Sequence, residues 1–316
     1  MRYNDCTRLK WVRRMICNLC PRKCGAERYE SRGLGFCGAG TLPRVARCAL
    51  HFDEEPCISG KSGSGAIFFS GCTLGCVFCQ NYAISHDNFG MEISPARLRE
   101  IFFELIDKGA NNINLVTGTQ FVPAIIEALK GGLPVPVVWN SSGYERVETL
   151  KALNGMVDIY LPDFKYMDEA LAARLSGAEN YPETALKAIE EMLRQTGRPV
   201  YDENGLMKKG TLIRHLVLPG HLDNTKQVLR RIHWDFEGVP VSLMAQYTPM
   251  GRAHEFDDIN RPLTSEEYDE AVQYMYSLSM DCGYTQELDS AKSAYTPAFD
   301  LSGVAPEKGN REAARI

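Results

Sequence analysis

The sequence predicts an α/β protein whose main body is a partial six-stranded (β/α)6 barrel, preceded by a small cysteine-rich module. Two observations support this prediction. From about residue 61, strand-length apolar runs alternate with helical segments, a pattern typical of a parallel sheet covered by helices. Ten of the eleven cysteines lie before residue 80. We therefore expect a metal-binding N-terminal module at 1–60, a barrel at 61–284 and a C-terminal tail at 285–316.

Six apolar runs are expected to form the barrel strands: 66–69, 112–116, 135–139, 157–161, 211–217 and 239–244. Helices are expected at 94–108, 121–130, 146–153, 168–175, 181–196, 225–232 and 265–280. The first helix has the clearest start, because Ser94 is a good N-cap and Pro95 suits the first helical position. The regular order of the units favours a partial barrel over a doubly wound sheet, although periodicity alone does not separate the two.

The composition is that of a globular protein, with 44% hydrophobic and 24% charged residues among 316. A formal net charge of −5 gives no reason to expect nucleic acid as a partner. No apolar run is long enough for a membrane span, and residues 1–6 lack the apolar core of a secretion signal. We therefore expect a cytoplasmic protein, in which clustered cysteines indicate metal binding before disulfides.

The segment 70–81 contains Cys72, Cys76 and Cys79 in a C-x3-C-x2-C spacing directly after the first predicted strand. Three thiolates can bind three corners of a four-iron, four-sulfur (4Fe–4S) cluster and leave the fourth iron open. Gly71 and Gly75 suit a loop that wraps closely around an inorganic core. A structural zinc site with its fourth ligand elsewhere, or plain buried thiols, are the alternatives.

A second cysteine group lies in the N-terminal module: Cys17, Cys20, Cys24 and Cys37. Four thiolates with this spacing make a complete tetrahedral site, which suits zinc or a fully ligated iron–sulfur cluster. Free cysteines in a flexible arm are the alternative. Three further cysteines have no partner spacing and are expected to be small buried residues: Cys6, Cys48 and Cys57.

Polar residues follow several predicted strands, at the end where βα barrels collect their chemistry. Thr117 and Thr119 follow the second strand, and Asn140 and Ser142 follow the third. Hydroxyl and amide groups there suit a polar ligand, but they are also normal turn chemistry. Gln246 to Thr248 follow the sixth strand and form a polar rim that suits substrate contact.

The fourth and fifth strands add charge. Asp163 and Lys165 follow the fourth strand, where a surface ion pair is the alternative to a binding role. Arg214, on the fifth strand, can bind a carboxylate through two hydrogen bonds. His215 should face the opposite side of that strand, while His221 lies in the loop beyond it.

Taken together, these segments resemble the radical S-adenosylmethionine (radical SAM) superfamily, and most closely the PflX-like relatives of pyruvate formate-lyase activating enzyme. The resemblance extends from about residue 10 to 288, and five stretches carry it: 20–22, 51–60, 79–82, 160–166 and 214–220. It implies a barrel of the radical SAM type and a 4Fe–4S cluster whose open iron chelates SAM. One-electron reduction then cleaves SAM to methionine and a 5′-deoxyadenosyl radical, which abstracts hydrogen from a substrate.

The resemblance also suggests roles for individual residues. Phe78 occupies the position where the family places an aromatic ring against adenine, and Asp163 and Lys165 match the Asp-x-Lys motif of glycyl-radical-enzyme activating enzymes. Arg214 matches the Arg of their Arg-x-x-x-x-Pro-Gly segment. Thr117-Gly-Thr119 departs from the usual Gly-Gly-Glu segment, so no carboxylate carries over there. No catalytic side chain is assigned.

The leading hypothesis is therefore a radical SAM enzyme that draws electrons from a reductant such as flavodoxin or ferredoxin. Its target is either a glycyl radical enzyme, activated by formation of the radical, or a small molecule or peptide that the enzyme modifies. Two hypotheses from other classes remain open: a ferredoxin-like electron carrier, and a metal-stabilised binding module without SAM turnover. A dedicated carrier needs no barrel, and four-cysteine ligation is usual where no substrate must reach iron.

Overall fold

The computed structural model describes residues 13–288 and 297–306. The strands are β1 (Met15–Ile16), β2 (Glu27–Arg28), β3 (Arg44–His51), β4 (Ser64–Phe69), β5 (Met91–Glu92), β6 (Ile113–Val116), β7 (Val137–Ser141), β8 (Ile159–Pro162), β9 (Val200–Tyr201), β10 (Met207–Thr211), β11 (Ile213–Leu216), β12 (Val241–Met244) and β13 (Gly283–Thr285).

The helices are α1 (Pro56–Ser59), α2 (Tyr82–Ser85), α3 (Pro95–Asp107), α4 (Val122–Leu129), α5 (Val147–Ala152), α6 (Glu169–Ser176), α7 (Tyr181–Thr196), α8 (Leu222–Asp235) and α9 (Ser265–Ser277). Short 3-10 turns lie at Thr119–Phe121 and Ala253–Glu255. None of the helices in residues 13–288 and 297–306 is both long enough and apolar enough to cross a membrane.

The predicted α/β fold with a parallel sheet is confirmed. An eight-stranded sheet has the order β5-β3-β4-β6-β7-β8-β10-β9, and a second sheet has the order β11-β12-β13. A parallel bridge between Asp163 and Arg214 joins β8 to β11. The strands β4, β6, β7, β8, β11 and β12 therefore follow one another in parallel, and their carboxyl ends share one edge.

The apolar patterning explains these elements. Every residue of β4, β6, β7, β8 and β12 is buried, as expected for parallel strands covered on both faces. Helix α3 buries Leu98, Ile101, Phe102 and Leu105, which recur at helical spacing. Its start is the predicted one, since the Ser94 hydroxyl accepts the Arg97 backbone N–H at 3.1 Å. Each such buried side chain contributes roughly 1.5–3 kcal/mol.

The fifth barrel strand is interrupted where the sequence predicts one run over 211–217. The chain pairs with β8 through β10, passes Leu212, and then pairs with β12 through β11. Gly210 precedes this break with φ 126°, and a Cβ there would lie 2.5 Å from Pro199 Cα. The break lets one chain segment pair with neighbours in two sheets, which apolar content does not encode.

Two segments outside the predicted barrel also join it. Residues 44–51, expected within the N-terminal module, form β3 and pair antiparallel with β4. Residues 297–306, expected to be tail, lie against β3: the Cys48 backbone N–H donates to Ser302 O at 2.8 Å. Val304 is fully buried in the same core. The rest of the expected tail, at 289–296 and 307–316, and Cys6 lie outside the described residues.

Candidate active site

A pocket opens at the carboxyl ends of the barrel strands, and the cysteine loop after β4 forms one wall. Cys72, Cys76 and Cys79 all line it. Most of the predicted strand-end residues line it too: Phe78, Thr117, Asn140, Ser142, Asp163, Lys165, Arg214, Gln246, Tyr247 and Thr248. The parallel order of the strands brings these distant residues together, as the position of sites in βα barrels leads one to expect.

Two glycines in the cysteine loop adopt backbone conformations that the shape of the loop requires. Gly71 has φ 78° and Gly75 has φ 65°, in the region that side chains rarely adopt. A Cβ on Gly71 would lie 2.7 Å from the carbonyl oxygen of Cys37, and one on Gly75 would lie 2.9 Å from the Phe36 ring. Both contacts are made with the N-terminal segment, so the glycines serve close packing as well as the turn.

Hydrogen-bond donors surround the sulfur atoms of the loop. The backbone nitrogens of Leu74 and Gly75 lie 3.4 and 3.5 Å from Cys72 Sγ. The Ser176 hydroxyl donates to Cys76 Sγ at 3.1 Å. Such donors suit sulfur atoms that carry negative charge.

Electrostatics also favour a bound cation at this loop. Burial, together with the charges of Cys76 and Cys79, raises the pKa of Cys72 to about 12. Three thiolates can therefore form this close together only beside a positive partner, and iron supplies one. In residues 13–288 and 297–306, no three or more His, Cys, Asp or Glu side chains stand where one metal ion could hold them. A cubane cluster does not require this, because each cysteine ligates a different iron.

The pocket wall also carries a network of charged side chains that are only 10–14% exposed. Arg214 donates from Nε to Asp163 Oδ1 at 2.8 Å, from one terminal nitrogen to Glu54 Oε2 at 3.1 Å, and from the other to Asn140 Oδ1 at 2.6 Å. Lys165 Nζ donates to Asp163 Oδ2 at 2.6 Å. Arg214 thus already bonds three oxygen atoms of the protein.

The ionised forms of Asp163 and Lys165 are stabilised by their charged neighbours. Burial opposes ionisation of Asp163, but Arg214 and Lys165 outweigh it and hold the pKa of that carboxyl below its usual value. Burial likewise opposes the charge on Lys165, yet Asp163 and Cys76 raise its pKa above the usual value. The pocket therefore keeps a charged carboxylate and a charged ammonium side by side near neutral pH.

The sequence analysis did not single out Glu54, which lines the pocket and belongs to its charged network. Glu54, on the loop after β3, accepts hydrogen bonds from Asn114 and Asn140 at 3.1 Å as well as from Arg214. His51 and Asp53 of the same loop also line the pocket. The available signal was the acidic stretch 51–55, which the family resemblance includes but which followed no predicted strand.

Some predicted residues lie elsewhere. Thr119 is buried away from the pocket lining, and its hydroxyl donates to Glu145 at 2.7 Å. The same carboxylate accepts from Trp139 and Ser141, and burial raises its pKa. His215 is buried on the other side of β11, as its position predicted, between Phe164 O at 2.7 Å and Thr225 Oγ1 at 3.0 Å.

His221 does not belong to the pocket lining either. It lies 2.7 Å from Asp258, which also binds Arg174. Phe78, in contrast, is buried at the pocket and packs against Tyr247 with 5.8 Å between ring centroids. The aromatic wall expected inside the cysteine motif is thus present.

The four N-terminal cysteines meet at a second, smaller pocket. Cys17, Cys20, Cys24 and Cys37 all line it, together with Leu19, Arg22 and Phe36. It lies behind the cysteine loop, since Thr73 contributes to its wall as well. The structure therefore brings together both predicted cysteine groups, each at its own pocket.

Comparison with known proteins identifies relatives. Residues 66–232 match the family model of the radical SAM superfamily. An uncharacterized protein of Methanocaldococcus jannaschii, MJ0674, is 33% identical over 280 residues, which are 85% of this chain and 76% of that protein.

Among solved structures, Streptococcus suis SuiB bound to precursor peptide SuiA matches with a TM-score of 0.48 and 11% identity. That match covers 70% of this chain and 48% of SuiB, so the chain spans about half the length of SuiB. Methylornithine synthase (PylB) matches with a TM-score of 0.47 and 15% identity, over 79% of this chain and 76% of that one.

Proposed function

The chain belongs to the radical SAM superfamily, and on this premise we propose that its large pocket binds SAM against a 4Fe–4S cluster held by Cys72, Cys76 and Cys79. Members of the superfamily use these two cofactors, so a 4Fe–4S cluster and SAM are the cofactors of this chain. When bound, they supply one-electron cleavage of SAM and hydrogen abstraction from a substrate. The observation that carries the proposal is the opening of the three-cysteine loop onto the charged pocket.

Lys165 is the residue that we expect to meet the SAM carboxylate. An ammonium group has three donors, and Asp163 occupies one of them. The remaining donors can reach a ligand in the pocket that Lys165 lines. Asp163 holds the ammonium in place and keeps it charged.

For Arg214 we propose a positioning role in place of direct contact with a ligand carboxylate. Its guanidinium is bonded to Asp163, Glu54 and Asn140, so its side chain is held by the protein rather than presented to a ligand. We propose that Arg214 positions Asp163, and through it Lys165. Glu54 then serves as the second carboxylate that keeps this buried cation paired.

The remaining walls suit the rest of SAM. Phe78 offers an aromatic face for adenine, supported from behind by Tyr247. Asn140, Ser142 and Thr117 offer amide, hydroxyl and main-chain groups for the ribose and the amino acid moiety. The buried rings and strand ends limit the access of water to the reacting centre.

The primary test is an assay of SAM cleavage. Anaerobically purified, iron–sulfur-reconstituted protein is incubated with dithionite and SAM, and 5′-deoxyadenosine is measured by chromatography. We expect product from the wild type and none from Cys76→Ala, with Cys282→Ala as the matched control because Cys282 is exposed and far along the chain. A reducible cluster without any product would refute the proposal and favour an electron carrier or a binding module.

For the substrate, we propose activation of a glycyl radical enzyme, with a low-potential donor such as flavodoxin or ferredoxin as the reductant. Support comes from the Asp163-x-Lys165 and Arg214 to Gly220 segments, which resemble those of the activating enzymes. The test is electron paramagnetic resonance (EPR) on a mixture with a candidate glycyl radical enzyme. A glycyl doublet supports this target, whereas SAM cleavage that depends on an added small molecule replaces it with a small-molecule reaction.

A further inference from the structure

We propose that the N-terminal segment holds a second metal centre through four thiolates, and that Arg22 ties this centre to the loop of the first. The four ligands are Cys17, Cys20, Cys24 and Cys37. The centre is a fully ligated iron–sulfur cluster, because each cysteine then binds a different iron, whereas no three or more such side chains in the described residues stand where one metal ion could hold them. The proposal of a second centre does not depend on the proposed SAM chemistry. The proposed coupling through Arg22 does rest on that proposed function.

The first observation is the convergence of four thiols on one small pocket. Cys17 and Cys20 are only 6% and 7% exposed, although they lie in a short irregular segment. The chain is shaped around these sulfurs: a Cβ on Gly35 would lie 2.9 Å from Cys24 Sγ.

A second observation points to negative charge at this pocket. Arg28 is 2% exposed, yet within residues 13–288 and 297–306 no carboxylate pairs with it. Its partners are the carbonyl oxygens of Ala39 and Gly40 and, at 3.7 Å, the sulfur of Cys17. A buried cation without a counter-ion is costly. A four-thiolate metal centre carries net negative charge and supplies the missing partner.

Arg22 connects this pocket to the first cysteine loop. It lies between two of the ligands, in the turn that the Lys23 backbone N–H closes on Cys20 O at 3.1 Å. Its guanidinium donates to Thr73 O at 3.0 Å and Leu74 O at 2.8 Å, both within the loop. Metal binding that orders the turn therefore also orders the side chain that grips the loop.

The same guanidinium reaches the helix that supports the loop from the other side. It donates to Ser176 O at 2.7 Å and to Gly177 O at the end of α6. The hydroxyl of Ser176 is the group that donates to Cys76 Sγ. Phe36 is next to the ligand Cys37, and the centroid of its ring lies 3.9 Å from Cζ of the Arg22 guanidinium, which stacks against the ring.

The second centre is tested in a chain that lacks the three loop cysteines and therefore the first cluster. In a chain carrying Cys72→Ser, Cys76→Ser and Cys79→Ser, anaerobic iron–sulfur reconstitution should give about four irons with four sulfides per chain. Adding Cys17→Ser and Cys20→Ser should remove this cluster, whereas adding Cys282→Ser should not. Circular dichroism and gel filtration verify that each variant is folded. A folded, reconstituted triple variant without bound iron and sulfide overturns the proposal.

Visible absorption gives an independent reading in the same triple variant. Sulfur-to-iron charge-transfer absorption should appear on reconstitution and disappear when Cys17 and Cys20 are replaced. Absence of that absorption in reconstituted, folded protein would also refute the centre. Neither measurement involves SAM, so failure of the proposed function leaves both results interpretable.

The coupling is tested with Arg22→Gln in the otherwise native chain. Arg99→Gln is the matched control, because Arg99 also donates to backbone carbonyls but lines neither pocket. We expect Arg22→Gln to retain the N-terminal metal, to alter the EPR spectrum of the reduced loop cluster, and to slow SAM cleavage at least fivefold. Arg22→Lys should restore part of the rate. An unchanged spectrum and rate would show that Arg22 does not couple the sites.

Discussion

The two cysteine groups differ in what surrounds their sulfur atoms. The loop cysteines face an open pocket that also contains Lys165 and Asp163. The N-terminal cysteines face a small pocket lined by Leu19 and Phe36. Metal sites that bind substrates keep a coordination position open, whereas closed sites are fully ligated by the protein. Three cysteine ligands beside a polar cavity thus suit a site of reaction. Four cysteine ligands around a small apolar pocket suit a metal centre that no substrate reaches.

The largest expected effect separates the two groups by activity. Cys79→Ala should lower SAM cleavage by a factor of about 10³ or more, because the loop cluster loses one of its only three protein ligands. Cys24→Ala should lower it by at most about tenfold, since it disturbs the loop only through the N-terminal segment. The measurement is 5′-deoxyadenosine per reconstituted chain. Equal loss of SAM cleavage in both variants would show that the two cysteine groups do not differ in their role in the reaction.

The next prediction concerns the charges that only the open pocket contains. Arg214→Met should lower the free energy of unfolding by about 3–5 kcal/mol, because it leaves the buried carboxylates of Asp163 and Glu54 short of a partner. Urea unfolding monitored by circular dichroism measures this change. Arg231→Met is the control, as it removes a more exposed pair with Asp235 on α8, in which the two side chains are 42% and 31% exposed. A loss below about 1 kcal/mol for Arg214→Met would show that the network is not a buried ion pair of this kind.

A pH dependence should also belong to the open pocket. His215 supports it from behind through Phe164 O, and burial lowers the pKa of its ring to about 4. The unfolded state therefore binds more protons than the native state between pH 4 and the ordinary pKa of about 6.5, so stability falls as pH decreases through this range. The loss amounts to about 3 kcal/mol.

The measurement for His215 is urea unfolding at pH 7 and at pH 4.5, in the wild type and in His215→Asn. The difference in unfolding free energy between the two pH values should be smaller in the variant. Residues 13–50, which carry the N-terminal cysteines, contain no histidine and so have no equivalent group. An identical pH response in both proteins would remove His215 as the cause.

The smallest expected effect concerns the contact between the cysteine loop and the N-terminal segment. Gly71 and Gly155 both have φ 78°, but a Cβ on Gly71 would lie 2.7 Å from Cys37 O and one on Gly155 would meet nothing within 4 Å. Both alanine variants carry the strain of a left-handed backbone, of about 1–2 kcal/mol. Gly71→Ala should cost additional stability of about 1–3 kcal/mol from the clash. Thermal unfolding measures the stability of both variants. Equal losses of stability would show that the N-terminal segment moves aside at no cost in free energy.

Sequence alone determined the local features of this protein. The apolar runs of the parallel strands are buried on both faces, so they appear as continuous segments that can be recognised. Ser94 and Pro95 mark a helix start because capping depends on adjacent residues. The two cysteine groups were predicted for the same reason, since their members lie close together in the chain.

Only the tertiary structure decided which distant groups meet. Glu54 enters the pocket because β3 joins the sheet and carries the loop after it to Arg214, 160 positions away. Thr119 turns from the pocket because a buried carboxylate, Glu145, requires its hydroxyl. Arg22 reaches the cysteine loop across 51 positions. Residue spacing encodes neighbours within a turn or a strand, whereas the pairing of buried charges depends on the closure of the barrel around them.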